Sequence, residues 1–382
     1  MLNRRILRIK AMQSIYAFKK SQESDVFLAQ DQIADRFNEE LLKLGIEHKW
    51  DLMEKQDVSM ALMKDNLKEG TTQKVLGEEP DMVKQTAWEA IVFYRMQVHK
   101  DYREETERMV NATEMLFSKY LRVLQLIVTL ADRIKKVQRD REASSNTQVM
   151  ADNARFFDSP LISSLRNHHA IARENFHWNP DLVANWATSL RKSQEFQEAL
   201  DRPEGDAEDR EILLFVLREF IFKNESVMEH FEEADIHWTE NKRVLRSMLA
   251  KTLKSVESDG TVDVLSLSKN WEDDKDFFLK LFRATIDNED DWEQRITRRT
   301  KKWASDRIAT VDKILLEMAL SEMVTFPSIP MKVTINEYIE ISKSYSTPKS
   351  WQFMNGVLDA ISTDLKEEGL IRKSGRGLLD NK

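Results

Sequence analysis

Cysteine is absent from the 382 residues, which excludes disulfide staples, thiolate metal sites and cysteine nucleophiles, and fits a reducing, cytoplasmic setting. Glycine and proline are scarce, at 9 and 7 residues. Alternating runs of Val, Ile and Thr are nearly missing as well, so neither a parallel sheet nor a hairpin-rich sandwich has the period it needs. No Gly-rich phosphate loop follows a strand pattern. Long apolar runs are lacking too. The most apolar stretch, residues 121–131, is interrupted by Arg122 and Gln125, which predicts no membrane span, and the N-terminus lacks the apolar core of a secretory signal. Acids are missing from one place in particular. Residues 1–20 hold Arg4, Arg5, Arg8, Lys10, Lys19 and Lys20 with no Asp or Glu, in a chain of net charge −8. A basic tip on an acidic body concentrates phosphate affinity there.

What is present is helical periodicity, and it predicts an all-α fold. The first helix is predicted over 3–20, with Asn3 as N-cap, and a second over 25–44, stopped by Gly45. Three arginines at a helix start oppose the macrodipole, at roughly 0.3–1 kcal/mol each; an anionic partner would remove the conflict. A loop over 66–80 precedes two long helices, 81–100 and 106–141, and residues 144–160 read as a connection. His168, His169 and His177 invite a metal reading, but only one Glu-x-x-His motif occurs, Glu174 to His177, and a helical di-metal site needs two. A hinge at 201–209 leads to apolar helical segments over 210–222 and 244–253, with a turn at 257–261. The helix over 290–303 has acids first and Arg295, Arg298, Arg299 and Lys302 last, the order a solvated helix prefers.

Residues 303–365 are the best punctuated. One amphipathic helix with Ile308, Val311, Leu315 and Met318 on its stripe ends at Pro327. Thr334-Ile-Asn-Glu337 has the capping-box form and predicts a helix start. Pro348 opens a third helix, with Phe353, Val357, Ile361 and Leu365 as its buried stripe and Gly356 allowing close helix packing.

The runs Val333-Thr-Ile-Asn-Glu337 and Phe353-Met-Asn-Gly-Val-Leu-Asp359 resemble the C-terminal signature of the NusB transcription antitermination family. Arg4-Arg5-x-x-Arg8 followed by Ala11-Met-Gln-Ser-Ile-Tyr16 resembles that family's arginine-rich opening, although Ile6 stands where relatives carry a third consecutive Arg. The resemblance covers residues 3–20 and about 270–365. It implies a NusB-like helical core from residues 1–30 and 270–382, with 31–269 as a helical insertion of unknown role. It also implies a non-enzymatic factor without cofactors. Such a factor, together with the small-subunit ribosomal protein NusE, binds boxA-like single-stranded RNA on nascent transcripts in the transcription elongation complex.

Carried over to this chain, Arg4, Arg5 and Arg8 are the RNA backbone contacts. Tyr16, Lys349, Ser350, Phe353 and Asn355 belong to the same RNA-binding set, with the Lys349–Phe353 segment expected beside the arginines. Lys349 replaces an acid of the relatives. Asp312 matches an acidic position facing NusE. Phe353 and Tyr16 read equally as core aromatics, and Asp312 as an acid stabilising its own helix. Cytosine RNA methyltransferases carry a similar helical appendage, but the missing cysteine and nucleotide loop exclude their chemistry. A helical scaffold or ribosome-assembly factor that keeps the fold without RNA binding is the alternative.

Overall fold

The computed structural model describes residues 4–67, 80–143, 153–174, 176–202, 205–235, 237–255, 262–300 and 308–381. The predicted N-cap Asn3, most of the 66–80 loop, most of the 144–160 connection, the 257–261 turn and Lys302 lie outside them. Every regular element among the described residues is helical. The described residues divide into two compact units, one within 4–111 and 270–381 and the other within 112–269.

The first helix, α1, runs unbroken over Arg4–Leu44, merging the two helices read from the sequence. No Gly or Pro interrupts it, and it stops at Gly45, whose φ of 96° is costly for any residue with a Cβ. The expected domain boundary at residue 30 therefore falls inside a continuous helix. Its first half buries Leu7, Ala11, Ile15 and Phe18. Its second half buries Ala29, Ile33 and Phe37 against Leu52 and Met63 of α2 (Lys49–Asp65) and Ala90 and Ile91 of α3 (Asp81–Ala143). Helix α3 is likewise one element, Asp81–Ala143, where two were predicted: residues 101–105 contain no helix breaker.

In the unit holding residues 112–269, the middle of α3 is the core, with Leu116, Tyr120, Leu124, Ile127 and Ala131 all inaccessible. The short helices α4 (Ala154–Phe157), α5 (Pro160–Asn167), α6 (His169–Arg173), α7 (Pro180–Lys192), α8 (Gln194–Leu200), α9 (Asp206–Phe215), α10 (Glu225–Ala234) and α11 (Trp238–Lys254) complete it. The apolar segment predicted over 210–222 switches from α9 into a π-helical turn, Val216–Ile221. Tyr120 accepts from the Leu265 amide and shares a 2.6 Å hydrogen bond with Thr252, and burial pushes its hydroxyl up to about 12. Two of the histidines have structural roles: His168 and His169 stack at 4.9 Å, and His168 Nδ1 accepts from the Ala170 amide at the start of α6. Among the described residues no group of side chains is arranged to hold a metal ion.

In the other unit the remaining helices are α12 (Trp271–Asp287), α13 (Glu289–Arg299), α14 (Thr310–Thr325), α15 (Met331–Tyr345) and α16 (Ser350–Glu367). Helix α14 lies at the centre, packed against α1, α12, α13, α15 and α16. All residues from Ile314 to Met323 are buried, so this helix is enclosed on every side and is not the amphipathic surface helix its stripe suggested. The enclosure takes in Glu317, Ser321 and Glu322, three polar groups that must find partners inside. The basic end of α13 pairs at home: Arg295 donates to Asp291 and Glu368, and Arg299 to Asp364.

Candidate nucleic-acid interface

The first turn of α1 carries cations and no acid, and an isolated helix of that kind opposes its own dipole. The fold resolves the conflict internally. Arg8 is only 3% exposed and donates two bonds of 2.7 Å to Glu322, itself fully buried in α14. Thr334 and Tyr338 of α15 add hydrogen bonds of 2.9 and 3.1 Å to the same carboxylate. Burial works against the Arg8 charge, but the bond and charge of Glu322 outweigh it and hold the guanidinium above its ordinary range. Burial likewise raises the Tyr338 hydroxyl well above the usual phenol range and keeps it a donor.

One turn earlier, Arg5 makes a second two-pronged pair with Glu337, both bonds 2.8 Å. The Arg5 bond holds the Glu337 carboxyl below its usual range against the opposing effect of burial. This overturns the capping-box reading. Helix α15 starts at Met331, three residues before Thr334, and Pro330 caps it without a side-chain bond. Thr334 and Glu337 are spent on Glu322 and Arg5. Farther along α1, Lys19 donates to Glu317 at 2.8 Å and to Glu289, and Lys20 pairs with Glu23.

What remains open to solvent at this end is smaller than the sequence suggested. The Arg4 side chain is 46% exposed, 3.8 Å from Asp274, and lies over the Phe277 ring. The Arg5 side chain keeps 42% of its surface exposed. Both line an open groove of about 480 Å³ with Ile329, Pro330, Val333 and Arg376. Arg8 touches the groove only from beneath, so its burial removes it from the solvent-facing set.

The second group of predicted residues gathers at the other end of α14. Ser350, at the first position of α16, donates a 2.6 Å bond to Asp312 at the start of α14, and both are buried. Ser346 donates to Ser350, and Thr347 bonds it at 2.7 Å. Asp312 is therefore an internal anchor for α16, not a surface acid, and its Oδ1 has no hydrogen-bond partner among the described residues. Asp312 and Glu322 stand ten residues apart on one helix, about 15 Å. The Lys349–Phe353 segment is accordingly anchored a helix length away from the Arg5 and Arg8 pairs, not beside them.

Lys349 and Asn355 are exposed and Phe353 is half-buried. Met354, Val357, Leu358, Ile361 and Leu365 carry the packing of α16. Gly356 faces outward, and a Cβ there would meet nothing within 4 Å, so it does not serve close helix packing. Tyr16 is 40% exposed, with Lys20 Nζ 5.9 Å from its ring centre.

Several contributors escaped the sequence reading. Trp351 lies under Lys343 Nζ at 5.3 Å, one residue from Ser350. Glu322 follows the stripe of Leu315 and Met318 at helical spacing, and a carboxylate among Met318, Ala319 and Met323 was itself a sign of a buried cation partner. Arg376 lies in a C-terminal stretch without periodic signal, where only the local density of Lys and Arg could have pointed to it.

The sequence profile of the NusB family matches residues 243–363, from within α11 through most of α16. The transcription antitermination protein NusB of Chloroherpeton thalassium is 44% identical over 106 residues, 28% of this chain and 50% of that protein. The NusB of Salinibacter ruber is 44% identical over 105 residues, 28% of this chain and 66% of its own length. That of Dictyoglomus turgidum is 36% identical over 104 residues, 27% of this chain and 70% of the relative. The chain thus spans half to two thirds of the first two relatives, and most of its own length is unmatched by them. No solved structure matches it.

Proposed function

This chain belongs to the NusB family, and from that premise we propose that it is a non-enzymatic, cytoplasmic transcription antitermination factor binding boxA-like single-stranded RNA with a NusE-type ribosomal protein. The observation that carries the reading is the family match together with the exposed Arg4 and Arg5 at the rim of a groove with apolar walls. Guanidinium groups neutralise a nucleic-acid backbone, and apolar or planar surfaces receive unstacked bases.

Within this proposal Arg4 and Arg5 are the backbone contacts at one end. Tyr16, Lys349, Phe353 and Asn355 are contacts elsewhere on the RNA path. Arg8, Ser350 and Asp312 act by positioning: Arg8 fixes α1 on α14 and α15, and the Asp312–Ser350 bond fixes the start of α16 that presents Lys349 and, on the protein-partner side, the NusE contact. The core made from residues 1–30 and 270–382 carries this function, with residues 31–269 added to it. Among the described residues no helix is long and apolar enough to cross a membrane.

The scaffold alternative also has an observation in its favour, since Arg5, Arg8, Lys19 and Lys20 all pair with carboxylates of the same chain. One experiment separates the two. The full chain is titrated with a labelled boxA-like RNA on the order of twelve nucleotides, with and without the NusE-type protein, across a salt series. RNA binding that tightens with the partner and weakens steeply with salt supports antitermination. The absence of RNA binding in both arms leaves the scaffold reading.

A further inference from the structure

Helix α16 ends at Glu367, and Gly369, at φ 71°, turns the chain back on itself. The amides of Leu370 and Ile371 both reach the Leu365 carbonyl, and Ile371 is buried. From there the tail crosses to the loop between α14 and α15. The Ser374 amide donates to the Pro327 carbonyl at 3.0 Å, and Lys373 Nζ donates to the Phe326 carbonyl at 3.0 Å. Gly377 lies so close to Pro327 that a Cβ would run into its carbonyl oxygen. The tail thereby caps the Pro327 carbonyl and adds a second bond to that of Phe326, which also accepts from the Ile329 amide just past the end of α14.

The consequence is the placement of Arg376. It is exposed, it has no ion-pair partner among the described residues, and it shares the groove with Arg4 and Arg5. Of the solvent-facing cations around that groove, Arg5 is answered by Glu337 and Arg4 stands near Asp274, whereas Arg376 is answered by neither. Next to it Leu379 is 65% exposed, and Val333 of the opposite wall 44%. Cations flanking an apolar shelf suit a single strand, whose phosphates meet guanidinium groups while a base lies on the shelf.

We infer that the C-terminal tail, residues 370–381, is the second wall of the RNA groove: Arg376 supplies a backbone contact, Leu379 part of the base shelf, and Gly377 the close approach that seats both. The tail lies beyond the matched family segment, which ends at residue 363. The inference rests on the RNA-binding reading above and assigns a further part of the same site.

The test uses the full chain and the same single-stranded RNA, with Arg376→Ala, Gly377→Ala and Arg4→Ala compared across a salt series. Thermal unfolding is recorded for each variant. Arg376→Ala is expected to weaken binding severalfold, lower the salt slope by roughly 0.7, and leave unfolding unchanged. Gly377→Ala is expected to weaken binding with Arg376 still present, because the tail can no longer seat against Pro327. If Arg4→Ala weakens binding and Arg376→Ala does not, the tail assignment is overturned and the RNA reading stands. Failure of the unaltered chain to bind the RNA overturns both.

Discussion

Arg8 and Glu322 lie 314 positions apart in the chain and meet as a two-pronged ion pair that excludes water on both sides. The pair ties the first helix to the central one, and it accounts for arginines where a helix dipole would prefer acids. Removing one partner strands the other in the core. Arg8→Met is therefore expected to cost about 3–5 kcal/mol in urea unfolding. Adding Glu322→Gln should recover much of this, because the amide removes the charge but keeps an acceptor for Thr334 and Tyr338. A loss for Arg8→Met below about 1 kcal/mol, within the range of exposed pairs, would show that the pair is not load-carrying.

Arg4 and Arg5 should behave in the opposite way. Both keep substantial solvent exposure, so their alanine variants are expected to change stability by about 0–1 kcal/mol. Each should lower the slope of log affinity against log salt by roughly 0.7. Fluorescence anisotropy with the single-stranded RNA checks this, and unchanged slopes in both variants would remove them from the site.

Ser350 and Asp312 form the corresponding anchor at the other end of α14. Ser350→Ala removes the side-chain donor that the described residues give the buried carboxylate, at an expected 1–3 kcal/mol, about the desolvation cost of an unsatisfied group. Asp312→Ala should cost a similar amount, and the double variant less than the sum. Additive losses in a denaturation cycle would mean that the two do not act through one bond.

The two helix-related glycines are expected to differ in sign. Gly45→Ala puts a side chain at φ 96°, ψ 165°, at an expected cost of about 1–3 kcal/mol. Gly356→Ala fills open space on a helix and should stabilise by roughly 0.5–1 kcal/mol. If it also weakens RNA binding, the bare backbone beside Asn355 is a surface the ligand approaches closely.

Asp25 gives a pH signature. It is 5% exposed, its Oδ2 lacks a hydrogen-bond partner among the described residues, and burial, assisted by Asp101, pushes its carboxyl from 3.8 up to about 6. Between about pH 4 and 6 the unfolded chain has released this proton while the folded chain keeps it, so stability falls as pH rises through that window and then levels. The loss is on the order of 1–3 kcal/mol. Asp25→Asn is expected to flatten the profile and to be the more stable form at pH 7; parallel urea profiles for the two proteins would refute the assignment.

Much of the fold was legible because helical period and breaker positions are local properties. Gly45 and Pro327 mark helix ends where the sequence put them, and the chain around Leu121–Ala131 is as buried as its composition implies. The errors are equally local in origin. A polar stretch such as residues 101–105 looks like a joint, yet contains nothing that breaks a helix, so α3 runs through it. Thr334 and Glu337 have the spacing of a capping box, and spacing carries no information about a carboxylate or a guanidinium arriving from elsewhere.

The sequence by itself determined that this protein is all-helical and, through the motifs of its C-terminal helices, which family it resembles, since both depend on order and spacing along the chain. It also placed six cations and no acid at the N-terminus. Only the tertiary structure decided which of them face solvent. Glu322 and Glu337 come from helices more than 300 residues downstream, claim Arg8 entirely and Arg5 in part, and leave Arg4 and the distant Arg376 at the groove. Charge is a property of residues, but its availability depends on desolvation and on what packs opposite, and packing is long-range.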